Sequence, residues 1–336
     1  MKLGKLTPDL LAHLLSRLPG GDPRVLVGPR VGEDAAVIDV GDRLLVAKTD
    51  PVTFATDLIG WYAVNVNAND IATMGAEPRW FMGSLLLPKS ADEAAAAGIF
   101  DQIAAACRAL GVTAVGGHTE VTIGLDRPIL VGCMLGEVER DSLVTSSGAR
   151  PGDVLILTGG IAVEGAALLA REVGKELMAR GMAAEAVAQA RDLLLSPGIS
   201  VVPAARAAMA AGGVTALHDP TEGGLATGLR ELGAASEVGL EVDAEAITVL
   251  PLTQQVCTLL ALDPLGLIAS GALLVAARPE AAEATLASVR KAGVNAAILG
   301  KVLPEAEGLW LLAAGERRPL PEFARDEIAR FLDEKE

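Results

Sequence analysis

Val66-Asn-Ala-Asn-Asp-Ile-Ala-Thr-Met-Gly-Ala-Glu-Pro78 is the stretch on which the reading of this 336-residue chain turns. Together with the residues before it, it sets Trp61, Val64, Ala68 and Ile71 at helical spacing. This predicts a helix over Leu58–Gly75, with Asp57 as its N-cap and Pro78 just past its end. Asn and Asp compete with the helical backbone for hydrogen bonds and are poor interior helix residues. Yet Asn65, Asn67 and Asp70 stand inside this apolar segment, with Asn67 and Asp70 three apart and therefore adjacent on the helix surface. A solvated polar face is one reading. A ligand or metal role for Asp70, with Asn67 beside it, is the reading preferred here because the helix is hemmed in by Trp61, Ile71 and Met74.

Upstream, a helix is expected around Leu10–Leu18, followed by the Pro19–Pro23 loop. Two strands, Ala35–Val40 and Leu44–Thr49, are joined at the Gly41-Asp42 turn. This hairpin brings Asp34 and Asp50 into one neighbourhood, where hard carboxylate oxygens suit Mg²⁺. Downstream come a strand at Trp80–Leu87, a helix opened by a Ser90/Glu93 capping box, and a strand Val112–Val115 ended by Gly116-Gly117. A buried strand at Ile129–Leu135 follows. The Thr145–Gly152 segment then divides the chain near residue 148 into domains 1–148 and 149–336. The second half alternates strands and helices from Val154 to Leu309, which predicts a mixed sheet with helical cover.

Composition narrows the function. Acids outnumber bases 43 to 28, for a net charge of −15, and no Lys/Arg cluster offers a phosphate-tracking stripe, so nucleic acid is not expected as a partner. An acidic protein handling nucleotides needs Mg²⁺ to screen the triphosphate from its own carboxylates. Long apolar stretches are interrupted by Gly, Pro, Asp or Glu, so no membrane span is expected. The start, with Lys2 and Lys5 before Thr7-Pro-Asp9, lacks a secretion signal's apolar core, and cytoplasmic residence is the expectation. Cys107, Cys133 and Cys257 lack the spacing of a disulfide framework or zinc site and read as buried thiols.

Two further segments carry chemistry. In Gly116-Gly-His-Thr-Glu120, paired glycines free backbone N–H groups for an anion. Asp219-Pro-Thr-Glu222 has the pattern of a helix N-cap, but the glycines that follow, Gly223 and Gly224, each cost about 1 kcal/mol inside a helix. Close backbone contact with a ligand accounts for them, with phosphate on the helix amides and Mg²⁺ on Asp219 or Glu222. The P-loop, the dinucleotide-binding glycine fingerprint and the Gly-x-Ser-x-Gly elbow are all missing.

Gly32-Glu-Asp-Ala-Ala-Val37, Thr49-Asp50, Val66–Pro78, Gly116–Glu120 and Asp219–Leu225 occur in one order and resemble the aminoimidazole ribonucleotide synthase (PurM-like) superfamily over almost the whole chain. The resemblance implies an α+β, two-domain fold. Its N-terminal mixed sheet would bind ATP and Mg²⁺ and pair with a second copy in a homodimer barrel, and its C-terminal domain would be an α/β sandwich. It further implies ATP and Mg²⁺ as cofactors, Asp34, Asp50, Asp70 and Asp219 as metal ligands, and Thr49, Asn67, Gly116, Gly117, His118 and Thr221 as nucleotide contacts. Asp219, Glu222 and His118 would stand at the chemistry, with a small-molecule phosphoryl acceptor or ATP-activated substrate as partner. Such phosphoryl transfer needs placement and charge neutralisation more than a covalent nucleophile.

Within the superfamily, Asp219–Gly224 and Leu262-Asp-Pro-Leu…Ser270-Gly most resemble the hydrogenase-maturation carbamoyl dehydratase branch. That branch carries its substrate on a C-terminal cysteine. Here Cys257 is the last cysteine and the final residues are Phe331-Leu-Asp-Glu-Lys-Glu336, so dehydration on the chain's own tail is not expected. The alternatives are a thiamine-monophosphate kinase-like enzyme, although His118 and Glu222 replace that branch's aspartates, and an ATP-binding sensor or scaffold without turnover. Selenophosphate synthetase is set aside because no cysteine precedes Gly32.

Overall fold

The computed structural model describes residues 6–30, 33–53, 55 and 57–334. Lys2, Lys5, Gly32, Lys335 and Glu336, which entered the expectations above, lie outside the described residues. By its contacts the chain forms two units. The first comprises Gly20–Pro29 and Asp34–Leu143; the second comprises the chain from Val144 onward with the N-terminal helix, Arg30 and Glu33.

The N-terminal helix, α1, is Pro8–Leu15. The first unit then runs β1 (Val25–Val27), β2 (Ala36–Asp39), β3 (Leu44–Val52), α2 (Ile59–Thr73), β4 (Glu77–Leu87), α3 (Glu93–Leu110), β5 (Thr113–Val121) and β6 (Ile129–Val138). The six strands form one mixed sheet in the order β1-β2-β3-β6-β4-β5. Only the β4–β5 pair is parallel.

Helix α2 lies on β3, β6 and β4, and also packs against α3. Strand β6 alternates strictly, burying Leu130, Gly132, Met134, Gly136 and Val138 on one face while the other face stays half-exposed. Two of the buried positions are glycine for a steric reason. A Cβ on Gly132 would overlap the Asn67 amide, and one on Gly136 would overlap Ile71 Cγ2, so side chains there would push α2 off the sheet. Every residue of α2 except Trp61 and Val66 is buried, Asn65, Asn67, Asn69 and Asp70 included, so the polar positions are not a solvated face.

Three local expectations are corrected in this unit. Left-handed Leu58 (φ 52°), not Asp57, occupies the N-cap of α2. Helix α3 is capped by Asp92, whose side chain accepts from the Ala95 N–H at 2.8 Å, in place of Ser90. Strand β5 also continues through Gly116-Gly117 to Val121, because parallel pairing with β4 satisfies that backbone. A Cβ on Gly117 would strike the Gly83 carbonyl across the pair, which accounts for a glycine at that position.

The second unit continues with β7 (Val154–Thr158), α4 (Val163–Glu172), α5 (Gly174–Ala179), α6 (Ala184–Asp192), α7 (Val202–Ala211), β8 (Val214–His218), α8 (Gly224–Ser236) and β9 (Val238–Asp243). It closes with α9 (Pro251–Leu260), β10 (Leu273–Ala277), α10 (Pro279–Lys291), β11 (Ala296–Pro304), β12 (Leu309–Ala313), β13 (Glu316–Pro319) and α11 (Glu327–Asp333). Its sheet has the order β13-β12-β9-β11-β7-β10-β8, with only β12 and β9 parallel. Strand β10 is buried at all five positions, as expected of a strand covered on both faces. On one side Leu274 and Ala276 join Leu155, Leu157 and the α8 residues Leu225, Leu229 and Leu232 in a single core. Helices α7 and α10 also pack on β10. The architecture is therefore the expected α+β arrangement, two mixed sheets with helical cover.

Ala184–Ala211 has the length and mean hydropathy (1.4) of a membrane span, but Ser196 breaks the helix with extended backbone, and 44% of the most apolar window is buried inside the unit. Its two helical parts pack against α4 and α10 respectively. A further correction concerns Asp219–Glu222, which precede α8 without capping it. The helix begins at Gly224, and left-handed Gly223 (φ 82°) is its N-cap residue.

Candidate functional site

In the first unit, three of the expected ligands converge on a residue that the motif reading passed over. Lys48 and Asp50 lie two apart on β3 and therefore on one face, opposite Met134 and Gly132 of β6, the face that α2 covers. The Lys48 ammonium stands 2.9 Å from Asp70 Oδ2 on α2 and 3.9 Å from Asp50 Oδ2. Asp34, at the entry to β2, belongs to the same electrostatic neighbourhood. Burial opposes the charge on Lys48, but Asp70, Asp50 and Asp34 outweigh it and hold the ammonium above its ordinary pKa. Burial likewise raises the pKa of Asp70, which is 4% exposed; Lys48 counters that shift, and Asp34 and Asp50 add to it.

Three carboxylates and one ammonium leave a formal charge of −2 in a half-buried setting. Hard oxygen donors suit a divalent cation such as Mg²⁺, and Asp34 and Asp70 bring carboxylate oxygens within 4.8 Å of one another.

Asn67 is fully buried, and its Nδ2 donates to the carbonyls of Ala63 (2.8 Å) and Asp50 (3.3 Å), tying α2 to the backbone of β3 at the carboxylate cluster. Thr49 alternates to the opposite face, is exposed, and donates from Oγ1 to the Gly132 carbonyl at 2.8 Å. Gly116, Gly117 and His118 lie on exposed β5 at the sheet edge, where His118 Nε2 is 3.2 Å from Glu120 Oε2. Strands β6 and β4 intervene between β3 and β5, a spacing of about 14 Å at the usual strand separation. Within one chain this glycine segment is not beside the carboxylates.

In the second unit, Asp219 (2% exposed), Thr221 and Glu222 form the loop between β8 and α8. The expected phosphate cradle is not offered by the glycine amides, which are engaged internally. Gly223 N–H donates to Asp326 Oδ2 at 2.6 Å, Gly224 N–H to the Thr221 carbonyl at 3.0 Å, and Ala226 N–H to the Leu265 carbonyl at 2.9 Å. Gly224, with φ 65°, is needed for close approach, since a Cβ there would meet the carbonyls of Leu265 and Leu267.

Buried acids surround this loop. Burial, reinforced by Asp326 and Glu222 and countered by hydrogen bonds from Ser270, raises Glu164 to about 7. Burial also raises Asp326 to about 7, against hydrogen bonds from Gly223 and Ile328 and with help from Glu222 and Glu327. Behind the loop, His218 Nε2 lies 3.1 Å from Glu231 Oε2.

Motif reading missed Lys48, Glu164 and Asp326. Lys48 had a signal, because a lysine two residues before Asp50 in a strand must share its face. Glu164 and Asp326 had none, being brought to the loop from 55 or more residues away in sequence.

The models of the AIR synthase related protein N-terminal and C-terminal domains match residues 32–138 and 150–309 of this chain. Carbamoyl dehydratase HypE of Cupriavidus necator is 32% identical over 286 residues, covering 82% of this chain and 78% of the relative. Among solved structures, Escherichia coli HypE superposes with a TM-score of 0.75 at 26% identity, over 96% of this chain and 99% of that one. A structure of the hydrogenase maturation protein HypE in complex with ATP superposes with a TM-score of 0.73 at 25% identity, over 95% and 91% of the two chains.

Proposed function

Since the chain belongs to the AIR synthase related family, on its HypE-like branch, we propose that it is an ATP- and Mg²⁺-dependent enzyme. It activates a small molecule by phosphoryl transfer or ATP-driven dehydration. The observation that carries this reading is the cluster of Asp34, Asp50 and Asp70 around Lys48, whose formal charge matches one divalent cation. Asp34, Asp50 and Asp70 would hold Mg²⁺, which when bound neutralises charge on the transferring phosphoryl group. Asn67 fixes the backbone that presents Asp50, and Lys48 offsets part of the penalty that burial puts on the Asp70 charge. Asp219, Thr221 and Glu222 are proposed as further nucleotide and metal contacts, as are Thr49, Gly116, Gly117 and His118. The complexed ATP of a HypE structure and the carbamoyl dehydratase relatives support the nucleotide assignment.

All three thiols are shifted upward by burial, Cys107 to about 11 and Cys257 to about 12, so none is a ready thiolate. We further propose a cytoplasmic homodimer joined through the edge of β5, which is exposed along its whole length and presents Val115 (52%) and Val121 (61%). An unpaired strand edge of this kind is a template for pairing with a second chain. The domain division is proposed near residue 148. ADP formation from ATP and Mg²⁺ across a panel of small carbamoyl, amide and phosphate acceptors tests the activity. Acceptor-dependent turnover supports it; ATP binding with no turnover on any acceptor replaces it with a sensor or scaffold.

A further inference from the structure

We infer that Lys48 is a built-in counter-ion that closes the Asp34–Asp50–Asp70 cluster in the free protein and competes with the divalent cation, so that the metal enters together with nucleotide and not alone. The inference rests on the metal reading of these carboxylates. It goes beyond that reading by assigning Lys48 a role in the order of binding.

The geometry is specific. The ammonium is 2.9 Å from a carboxylate oxygen of Asp70, within charge-assisted hydrogen-bond range, and 3.9 Å from Asp50. It therefore sits against both carboxylates, where its charge opposes that of any cation they would hold. The pair is well shielded, with 23% of the Lys48 side chain and 6% of the Asp70 side chain exposed, so the attraction is only partly screened by water. Burial penalises a charge on Asp70, and the Lys48 ammonium is the cation that the fold sets against that carboxylate.

An incoming metal must displace the ammonium or accept its repulsion. Nucleotide phosphates change the balance, because they offer Lys48 new anionic partners while bringing the metal with them. Lysine suits this exchange: its ammonium is a compact charge on a flexible stem and can turn from a carboxylate to a phosphate without backbone movement. The consequence is positive coupling between metal and nucleotide, in the usual range of about 5- to 150-fold.

Mn²⁺ serves as the probe, titrated by electron paramagnetic resonance against the full chain with and without ATP, alongside thermal unfolding without metal. The wild type is expected to bind Mn²⁺ at least about 10-fold more tightly with ATP than without. Lys48→Gln is expected to bind Mn²⁺ alone more tightly than the wild type, and to lose thermal stability in the absence of metal but regain it with Mn²⁺. Lys48→Arg, which keeps the charge, should retain the wild-type stability without metal. Lys48→Gln/Asp70→Asn should recover that stability too, because the unpaired buried carboxylate is gone. Unchanged or weaker Mn²⁺ binding in Lys48→Gln, with Mn²⁺ binding still abolished by Asp70→Asn, overturns the counter-ion role and leaves the metal site standing. Absence of Mn²⁺ binding in the wild type, with and without ATP, overturns both.

Discussion

Asp326 Oδ2 accepts the backbone N–H of Gly223 at 2.6 Å, joining the segment that leads into α11 to the glycine that opens α8. The other oxygen, Oδ1, accepts the Ile328 N–H at 2.8 Å and caps α11, so one carboxyl secures two helix starts. Asp326→Ala removes a cap, at about 1 kcal/mol, and strands a buried amide, at about 1–3 kcal/mol. Urea unfolding at pH 5 should show the loss, and amide exchange should accelerate at Gly223. Wild-type exchange there would mean that another group holds the loop.

Stability should fall with rising pH through Glu164. Its carboxyl is raised from 4.5 to about 7 by burial, so the folded state binds its proton more tightly than the unfolded state. The protonated form's advantage is intact below pH 4.5, erodes as pH climbs, and is gone above about 7. Glu164→Gln, neutral throughout, escapes this loss. The stability gap between variant and wild type should widen from pH 5 to pH 8 by on the order of 3 kcal/mol. A gap independent of pH would place the Glu164 titration outside this range.

Gly132→Ala should loosen the carboxylate cluster without touching a charge. The added methyl overlaps Asn67, whose amide holds the Asp50 carbonyl, so overpacking should cost about 1–3 kcal/mol in thermal unfolding. Nucleotide affinity should weaken with it. An alanine variant as stable as the parent would show that α2 can shift without penalty.

Association through β5 is tested by Val115→Lys/Val121→Lys, which places two charges on exposed positions of that strand. Sedimentation should report a dimer for the parent and a monomer for the variant. A variant that remains dimeric points to another surface.

Much of the architecture was legible because it is written in short-range patterns. The apolar spacing of Trp61, Val64, Ala68 and Ile71 marked α2, and the Gly41-Asp42 turn marked the β2–β3 hairpin. What escaped depended on tertiary partners. Strand β5 runs through Gly116-Gly117 only because β4 pairs with it, and Asp219 looked like a cap until Gly223 and Gly224 proved to take left-handed backbone. At the site, Asp34, Asp50 and Asp70 were legible as acids at strand ends and in an apolar helix. Lys48, an ordinary strand lysine by type, acquires its role from the α2 carboxylate that packs over it.

Calorimetric titration of ATP in the presence of Mg²⁺, on the wild type and on Asp70→Asn, asks whether the carboxylate cluster holds the metal of a bound nucleotide. The wild type should bind with one site per chain, and the variant, which keeps the shape of Asp70 but removes its charge, should bind at least about 10-fold more weakly, or about 1.4 kcal/mol. Equal affinity in the two proteins would contradict the claim that this carboxylate cluster holds the metal of a bound nucleotide.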